Sequence, residues 1–136
     1  MVRTDRPVGY ISVDSSLLSG SLRENLVLDA TIDESRLRQT LDSLGLTGPR
    51  FLDLDAPLLG DGRGLSTGER VRLAIARALL ADPVILFLDD VAGVLDHNAR
   101  EIVRGTLEGI TTLAIVEASV DDPILTTFFQ HVEVTE

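Results

Sequence analysis

The chain has 136 residues, 44% of them apolar, with 22 acidic against 12 basic side chains, a formal charge of -10, and no cysteine. That length suits one compact unit rather than two, the charge repels nucleic-acid backbones and anionic headgroups, and the missing thiols exclude disulfides, thiolate metal sites and cysteine nucleophiles. All 12 basic residues are arginine, so chemistry that needs a lysine ammonium, a Schiff base or a phosphate-loop lysine, has no place in the chain.

Val8 to Val13 is short, apolar and β-branched and reads as a strand. After Asp14-Ser15-Ser16, the run Ser21-Leu22-Arg23-Glu24 has capping-box spacing and opens a short helix. Thr31-Ile32-Asp33-Glu34 repeats that spacing; Leu37, Leu41 and Leu44 then share one face of an amphipathic helix that Gly45 closes in a left-handed cap. Phe51 to Leu65, with Pro57, Gly60, Gly62 and Gly64, reads as a surface loop.

Ser66-Thr67-Gly68-Glu69 is a third capping box, followed by Val71, Ala74, Ile75, Ala78 and Leu79 on one face until Asp82-Pro83 ends the helix. Val84 to Leu88 is continuously apolar and ends in Asp89-Asp90, the pattern of a parallel strand buried on both faces with acids at its carboxyl end. Ligand sites of open α/β sheets lie at that end. Asp96 to Leu107 reads as a helix with Ile102, Val103 and Leu107 inward, and Thr111 to Val116 as a second buried strand, completing a βαβ unit. Asp121-Asp122-Pro123 predicts a short helix and His131 to Val134 a last strand. No run is apolar enough to span a membrane, and Met1 to Arg6 lacks the apolar core of a signal peptide.

Two places suggest chemistry. A helix start with free backbone N–H groups, a serine hydroxyl and small residues suits a phosphate, which singles out Ser66, Thr67 and Gly68; the plain alternative is a well-capped core helix. Asp89, at the end of a dry strand, suits the water shell of a magnesium ion, although adjacent strand-end acids are commonly just solvated. Arg70, Arg72 and Arg77 read as a solvated helix face.

Three segments resemble the nucleotide-binding domains of ABC transporters, the exporter type in particular. Leu17 to Leu26 is similar to the stretch after the family's Q-loop, Leu65-Ser66-Thr67-Gly68-Glu69 to its LSGGQ signature, and Ile85 to Asp90 to its Walker B strand, with Leu95-Asp96 closing a D-loop. The resemblance implies a partial P-loop NTPase fold: an α/β core over 1–15 and 69–136, a mostly parallel sheet, and a helical signature-motif subdomain over about 16–68. It implies that Leu65 to Glu69 contact ATP held by an opposing subunit, with Asp96 nearby, and that Asp89 holds magnesium through water. It implies as partners transmembrane domains and a second ATPase domain arranged head to tail, with no nucleic acid, and a cytoplasmic place at the inner face of the cell membrane.

The chain departs from that pattern. With no lysine and no phosphate loop, it is expected to bind no ATP by itself and to be inactive alone; ATP and magnesium belong to the complete assembly. Val13 stands at the Q-loop glutamine, Asp90 at the catalytic glutamate and Glu117 at the switch histidine. A shortened acid withdraws its carboxylate by about one ångström, enough to cost on the order of a hundredfold in rate. These changes imply a degenerate site that lends its signature to a partner's ATP. The alternatives are an assembly module without nucleotide function, or part of an active ATPase whose lysine loop lies upstream. A DNA-repair ATPase of the same superfamily fits the charge less well. The strand of the missing loop would lie beside Thr111 to Val116, so that edge is expected to be unsatisfied and to drive self-association, swapping or displacement of the last strand.

Overall fold

The computed structural model describes residues 6–27, 31–58, 64–120 and 122–125. Three strands, β1 (Val8–Ser12), β4 (Ile85–Asp89) and β5 (Ala114–Ala118), form a parallel sheet in the order β1-β4-β5. Two further strands, β2 (Gly20–Ser21) and β3 (Pro57–Leu58), pair antiparallel. The helices are α1 (Leu22–Leu26), α2 (Glu34–Ser43), α3 (Thr67–Leu80) and α4 (His97–Glu108), with single 3₁₀ turns at Pro49–Phe51 and Ala92–Val94. This is a mixed α/β architecture, the partial P-loop NTPase fold with its helical segment between β1 and α3.

Strand side chains alternate between faces. Ile11, Leu86 and Leu88 point into the core, where α3 packs against β1, α1 and α2. Val71, Leu73, Ala74, Ile75, Ala76 and Leu80 of α3 are all buried, and Ala99, Val103 and Leu107 of α4 join the same cluster. Burying that much aliphatic surface, at about 25 cal/mol per Å², makes α3 the axis of the domain.

Among the described residues, no element covers the other face of the sheet. Tyr10, Phe87 and Val116 pair in register across the three strands, yet are 61%, 37% and 45% exposed. Burial of β4 on both faces is therefore not observed, because no described element lies over this side. The strand at Thr111 to Val116 is displaced as well: Thr111 and Thr112 form a turn, and β5 runs through Glu117 to Ala118. The outer edge of β5 has no strand partner among the described residues.

Between β1 and α3 the chain builds a small helical layer. Ser21 and Glu24 form the reciprocal capping box of α1, and its first amides, Leu22 N–H and Arg23 N–H, donate to the Ala56 and Leu54 carbonyls. The second capping box is not formed. Asp33 is the N-cap of α2 and its side chain caps nothing, because the helix starts at Glu34, which pairs with Arg23 at 3.6 Å and Arg38 at 3.7 Å. Leu37, Leu41 and Leu44 are buried as the periodicity predicts. Gly45 takes φ +73°, the left-handed conformation that glycine adopts without a Cβ penalty. The loop from Phe51 is more than surface, for Phe51 and Leu54 are buried and Pro57–Leu58 pairs with β2; residues 59–63 lie outside the described residues.

In α4 the inward positions are Ala99, Val103 and Leu107, with Ile102 at the margin. A Cβ on Gly45 would meet the Ile102 Cδ1 at 3.1 Å, so Ile102 packs on the end of α2 instead of entering the core. Residues 122–125 contain no helical turn. The rest of the helix expected from Asp121, and the strand at His131 to Val134, lie outside the described residues.

Candidate functional site

The signature-like segment is positioned by α3. Ser66 Oγ accepts from Glu69 N–H at 3.0 Å and Glu69 Oε1 accepts from Ser66 N–H at 2.9 Å, a complete capping box. Of the helix's free first-turn amides, the box satisfies that of Glu69; those of Thr67 and Gly68 meet no acceptor among the described residues. Leu65 is half-buried against the core, while Ser66 and Thr67 are exposed. The guanidinium of Arg50 stands 3.8 Å from Glu69 Oε1. At Gly68 a Cβ would lie 3.0 Å from the Val94 carbonyl oxygen, so a glycine here lets the helix start close on the turn that follows β4.

The acids at the end of β4 have separate tasks. Asp89 lies on the open face, where the Tyr10 hydroxyl donates to its Oδ2. That hydrogen bond, with smaller contributions from desolvation and from the carboxylate's charge, raises the Tyr10 pKa above the ordinary phenol value. Asp90 sits in the left-handed region at φ +52°. Its N–H donates to the Ala118 carbonyl at 2.7 Å, and its Oδ1 accepts from Val120 N–H at 3.2 Å. Asp90 thereby ties the exits of β4 and β5 together.

Glu117 pairs in register with buried Leu88, one residue before Asp89, so by alternation it points to the opposite side of the sheet from Asp89. Its carboxylate accepts from the N–H groups of Ile124 at 2.8 Å and Leu125 at 3.0 Å. Asp96 is the N-cap of α4, accepting from Ala99 N–H at 2.8 Å. Val13 stands exposed in the turn after β1. The structure thus brings Gly68 to the turn after β4, but points Asp89 and Glu117 apart and occupies Asp90, Asp96 and Glu117 with backbone amides.

Among the described residues no three His, Asp or Glu side chains gather around a common point. Asp89 offers one carboxylate, which suits a magnesium ion that keeps its own waters and is completed by phosphate oxygens. The chain contains no lysine to meet such a phosphate.

Sequence reasoning missed several residues. Two of the three signature-helix arginines are tethers rather than a solvated face: Arg72 donates to the carbonyls of Leu44 and Gly45 at 3.2 and 3.3 Å, and Arg77 to that of Ser16 at 3.0 Å. Burial lowers the Arg77 pKa from its usual value. Arg70 keeps a buried Nε with no partner. Long arginine stems cover apolar surface and carry their heads to distant carbonyls, which helical spacing does not reveal. Tyr10 was within reach of the sequence, because strand alternation puts Val8, Tyr10 and Ser12 on one face and the register sets Ser12 beside Asp89.

The ABC transporter family's profile matches residues 1–93, more than half of the chain. The chain belongs to the ABC transporter family. Among its relatives, the multidrug resistance ABC transporter ATP-binding and permease protein of Lactococcus lactis subsp. cremoris is 37% identical over 120 residues, covering 79% of this chain and 20% of that protein. The mycobactin import ATP-binding/permease protein of Mycolicibacterium thermoresistibile is 34% identical over 109 residues, 78% of this chain and 12% of that one. A solved bacterial Atm1-family ABC exporter with ATP bound superposes with a TM-score of 0.71 at 21% identity, over 82% of this chain and 21% of that chain, and speaks to the fold. The chain thus spans about a fifth or less of the length of these ABC proteins, and its match is to the exporter-type ATPase region. No helix among the described residues is long and apolar enough to cross a membrane.

Proposed function

We propose that this chain is the signature-bearing part of an ABC transporter ATPase domain, and that Leu65 to Glu69 complete an ATP site whose triphosphate is held by a second ATPase domain facing it head to tail. The observation that carries this reading is the start of α3, where the Thr67 and Gly68 amides and the Ser66 hydroxyl lie together at an exposed helix N-terminus. Such an end attracts phosphate through aligned N–H dipoles. ATP and magnesium act only in the complete assembly, with Asp89 as an outer ligand of the metal and Asp96 near the subunit junction. Asp90 and Glu117, at the catalytic and switch positions, make the chain's own site degenerate. Residues 16–68 form the helical subdomain, and 1–15 with 69–136 the α/β core. Transmembrane domains are its further partners, placing it at the cytoplasmic face of the membrane.

The test uses the assembled transporter. Gly68→Asp and Ser66→Ala should weaken ATP-driven closure of the paired ATPase domains, read by cross-linking in the presence of a non-hydrolysable ATP analogue, at least tenfold for the aspartate. Asp90→Glu should raise hydrolysis. Unchanged closure in Gly68→Asp would overturn the reading.

A second reading, an assembly module without nucleotide function, has specific support: the carboxylates of Asp90 and Glu117 are engaged by backbone N–H groups. In that case ATP analogue leaves closure unchanged in the unmutated assembly as well.

A further inference from the structure

At the far end of α3 from the signature segment, α2, the end of α3, the end of α4 and the turn before β5 enclose an open cavity of about 420 Å³. That size falls within the range of small-molecule sites, about 300–1,000 Å³. Its walls are of two kinds. Leu79, Pro83, Ile110 and Leu113 give an apolar side, contributed by the α/β part of the chain. Facing them, α2 presents Arg36, Gln39, Thr40 and Ser43.

The hydrogen-bond inventory is uneven. Thr40 donates its hydroxyl to the Arg36 carbonyl, Ser43 to that of Thr40 and Thr106 to that of Ser43, so these three hydroxyl protons are committed. The Arg36 guanidinium, the Gln39 amide and the Thr112 hydroxyl have no partner among the described residues. Charge is uneven too: the cavity holds Arg6, Arg36 and Asp82, two cations against one anion, one net positive charge in a chain of formal charge -10. Asp82 is paired with Arg6 at 3.1 Å, which leaves Arg36 as the cation to be matched.

We infer that this cavity binds a small amphipathic monocarboxylate, its carboxylate on the fork of Arg36 and its hydrocarbon body on Leu79, Ile110 and Leu113. A planar guanidinium matches a carboxylate with two parallel hydrogen bonds. A doubly charged phosphate fits less well, because the Asp82 carboxylate shares the cavity. The occupant bridges α2 to the ends of α3 and α4, so it ties the helical layer to the sheet core. This site is separate from the start of α3 and stands whether or not the signature reading holds.

Octanoate is the probe, titrated into the 136-residue chain by isothermal calorimetry, with octanol and inorganic phosphate as comparisons. Octanoate binds saturably and raises the melting temperature; octanol and phosphate each bind at least tenfold more weakly. Arg36→Gln, which removes no side-chain hydrogen bond or ion pair among the described residues, leaves the ligand-free melting temperature unchanged and weakens octanoate at least tenfold. Phe87→Ser, on the bare sheet face, leaves octanoate affinity unchanged. Absence of saturable binding, equal affinity in Arg36→Gln, octanol or phosphate binding as tightly as octanoate, or loss of binding in Phe87→Ser would each overturn the assignment.

Discussion

Glu117 holds the backbone N–H of Ile124 at 2.8 Å, and the same carboxylate takes the next amide, that of Leu125, at 3.0 Å. Glu117 thus anchors the segment that leaves β5, whose Ile124 is fully buried. Removing it strands two amide donors beside the core, and an unsatisfied buried donor costs about 1–3 kcal/mol. Glu117→Ala should lose about 2 kcal/mol in urea unfolding, with the denaturant slope unchanged. Glu117→Gln, which keeps one acceptor oxygen, should lose about half of that. Equal stability of all three proteins would show that the anchoring contributes nothing.

The reciprocal pair Ser66 and Glu69 makes a second prediction, because the same groups cap the helix and line the proposed phosphate site. Ser66→Ala removes the acceptor for Glu69 N–H, and loss of such a cap costs about 1 kcal/mol. Ser66→Thr keeps the oxygen and should stay within a few tenths of a kcal/mol of the parent. Thermal unfolding and ATP-driven closure should therefore move together, because one oxygen serves both: threonine should preserve both, alanine neither.

The fold was legible wherever local chemistry decides it. The capping boxes at Ser21 and Ser66, the buried stripe of α2, the left-handed Gly45 and the apolar strand before Asp89 all follow from short-range rules. What failed depended on partners far along the chain. Thr31 looked like a cap, but Glu34 is drawn to Arg23 and Arg38, and the helix starts two residues later than the box requires. Strand β4 read as buried on both faces, because an apolar run carries no information about whether a second layer is present. Of the candidate residues, the strand-end pattern singled out Asp89 and the family resemblance Asp90 and Glu117, but neither could say that alternation sends Asp89 and Glu117 to opposite sides, or that backbone amides claim Asp90 and Glu117.

Arg23 gives a prediction about acid. Its guanidinium hydrogen-bonds the Asp55 carboxylate at 2.9 Å, and this bond, opposed by some desolvation and aided by the charge, lowers the Asp55 pKa. A carboxylate whose folded pKa is depressed stabilises the fold above its unfolded pKa, about 3.9, and that contribution is lost as pH falls through the lower, folded value. Arg23→Gln should return the Asp55 titration, followed by carboxyl-carbon NMR, to the ordinary aspartate range and flatten the acid limb of the melting curve against pH. The stability change near pH 7 should be small, since both groups are solvent-exposed.

The bare sheet face supports the last prediction, self-association of the isolated chain. Parallel sheets are normally covered on both sides, and a contiguous exposed apolar row across three strands marks a surface that another chain covers. Here the row is Tyr10, Phe87 and Val116, flanked by the outer edge of β5, which has no strand partner among the described residues. The formal charge of -10 opposes association, so it should strengthen as salt screens the repulsion over about 10 Å at 0.1 M. Light scattering coupled to gel filtration should show a concentration-dependent dimer or larger species, more populated at high salt. Phe87→Ser, at the centre of the row, should raise the dissociation constant at least tenfold, equivalent to about 1.4 kcal/mol, because it removes the aromatic surface common to both copies. A substitution at a residue whose backbone donor faces the outer edge of β5, Ile115→Pro, separates edge pairing from face packing: the Ala114 N–H donates to the Val84 carbonyl, so by alternation the next amide faces away from β4. Proline removes a backbone donor, so association through the edge is lost while packing through Phe87 persists. A monodisperse monomer at all salt concentrations would show that the chain covers this face by itself.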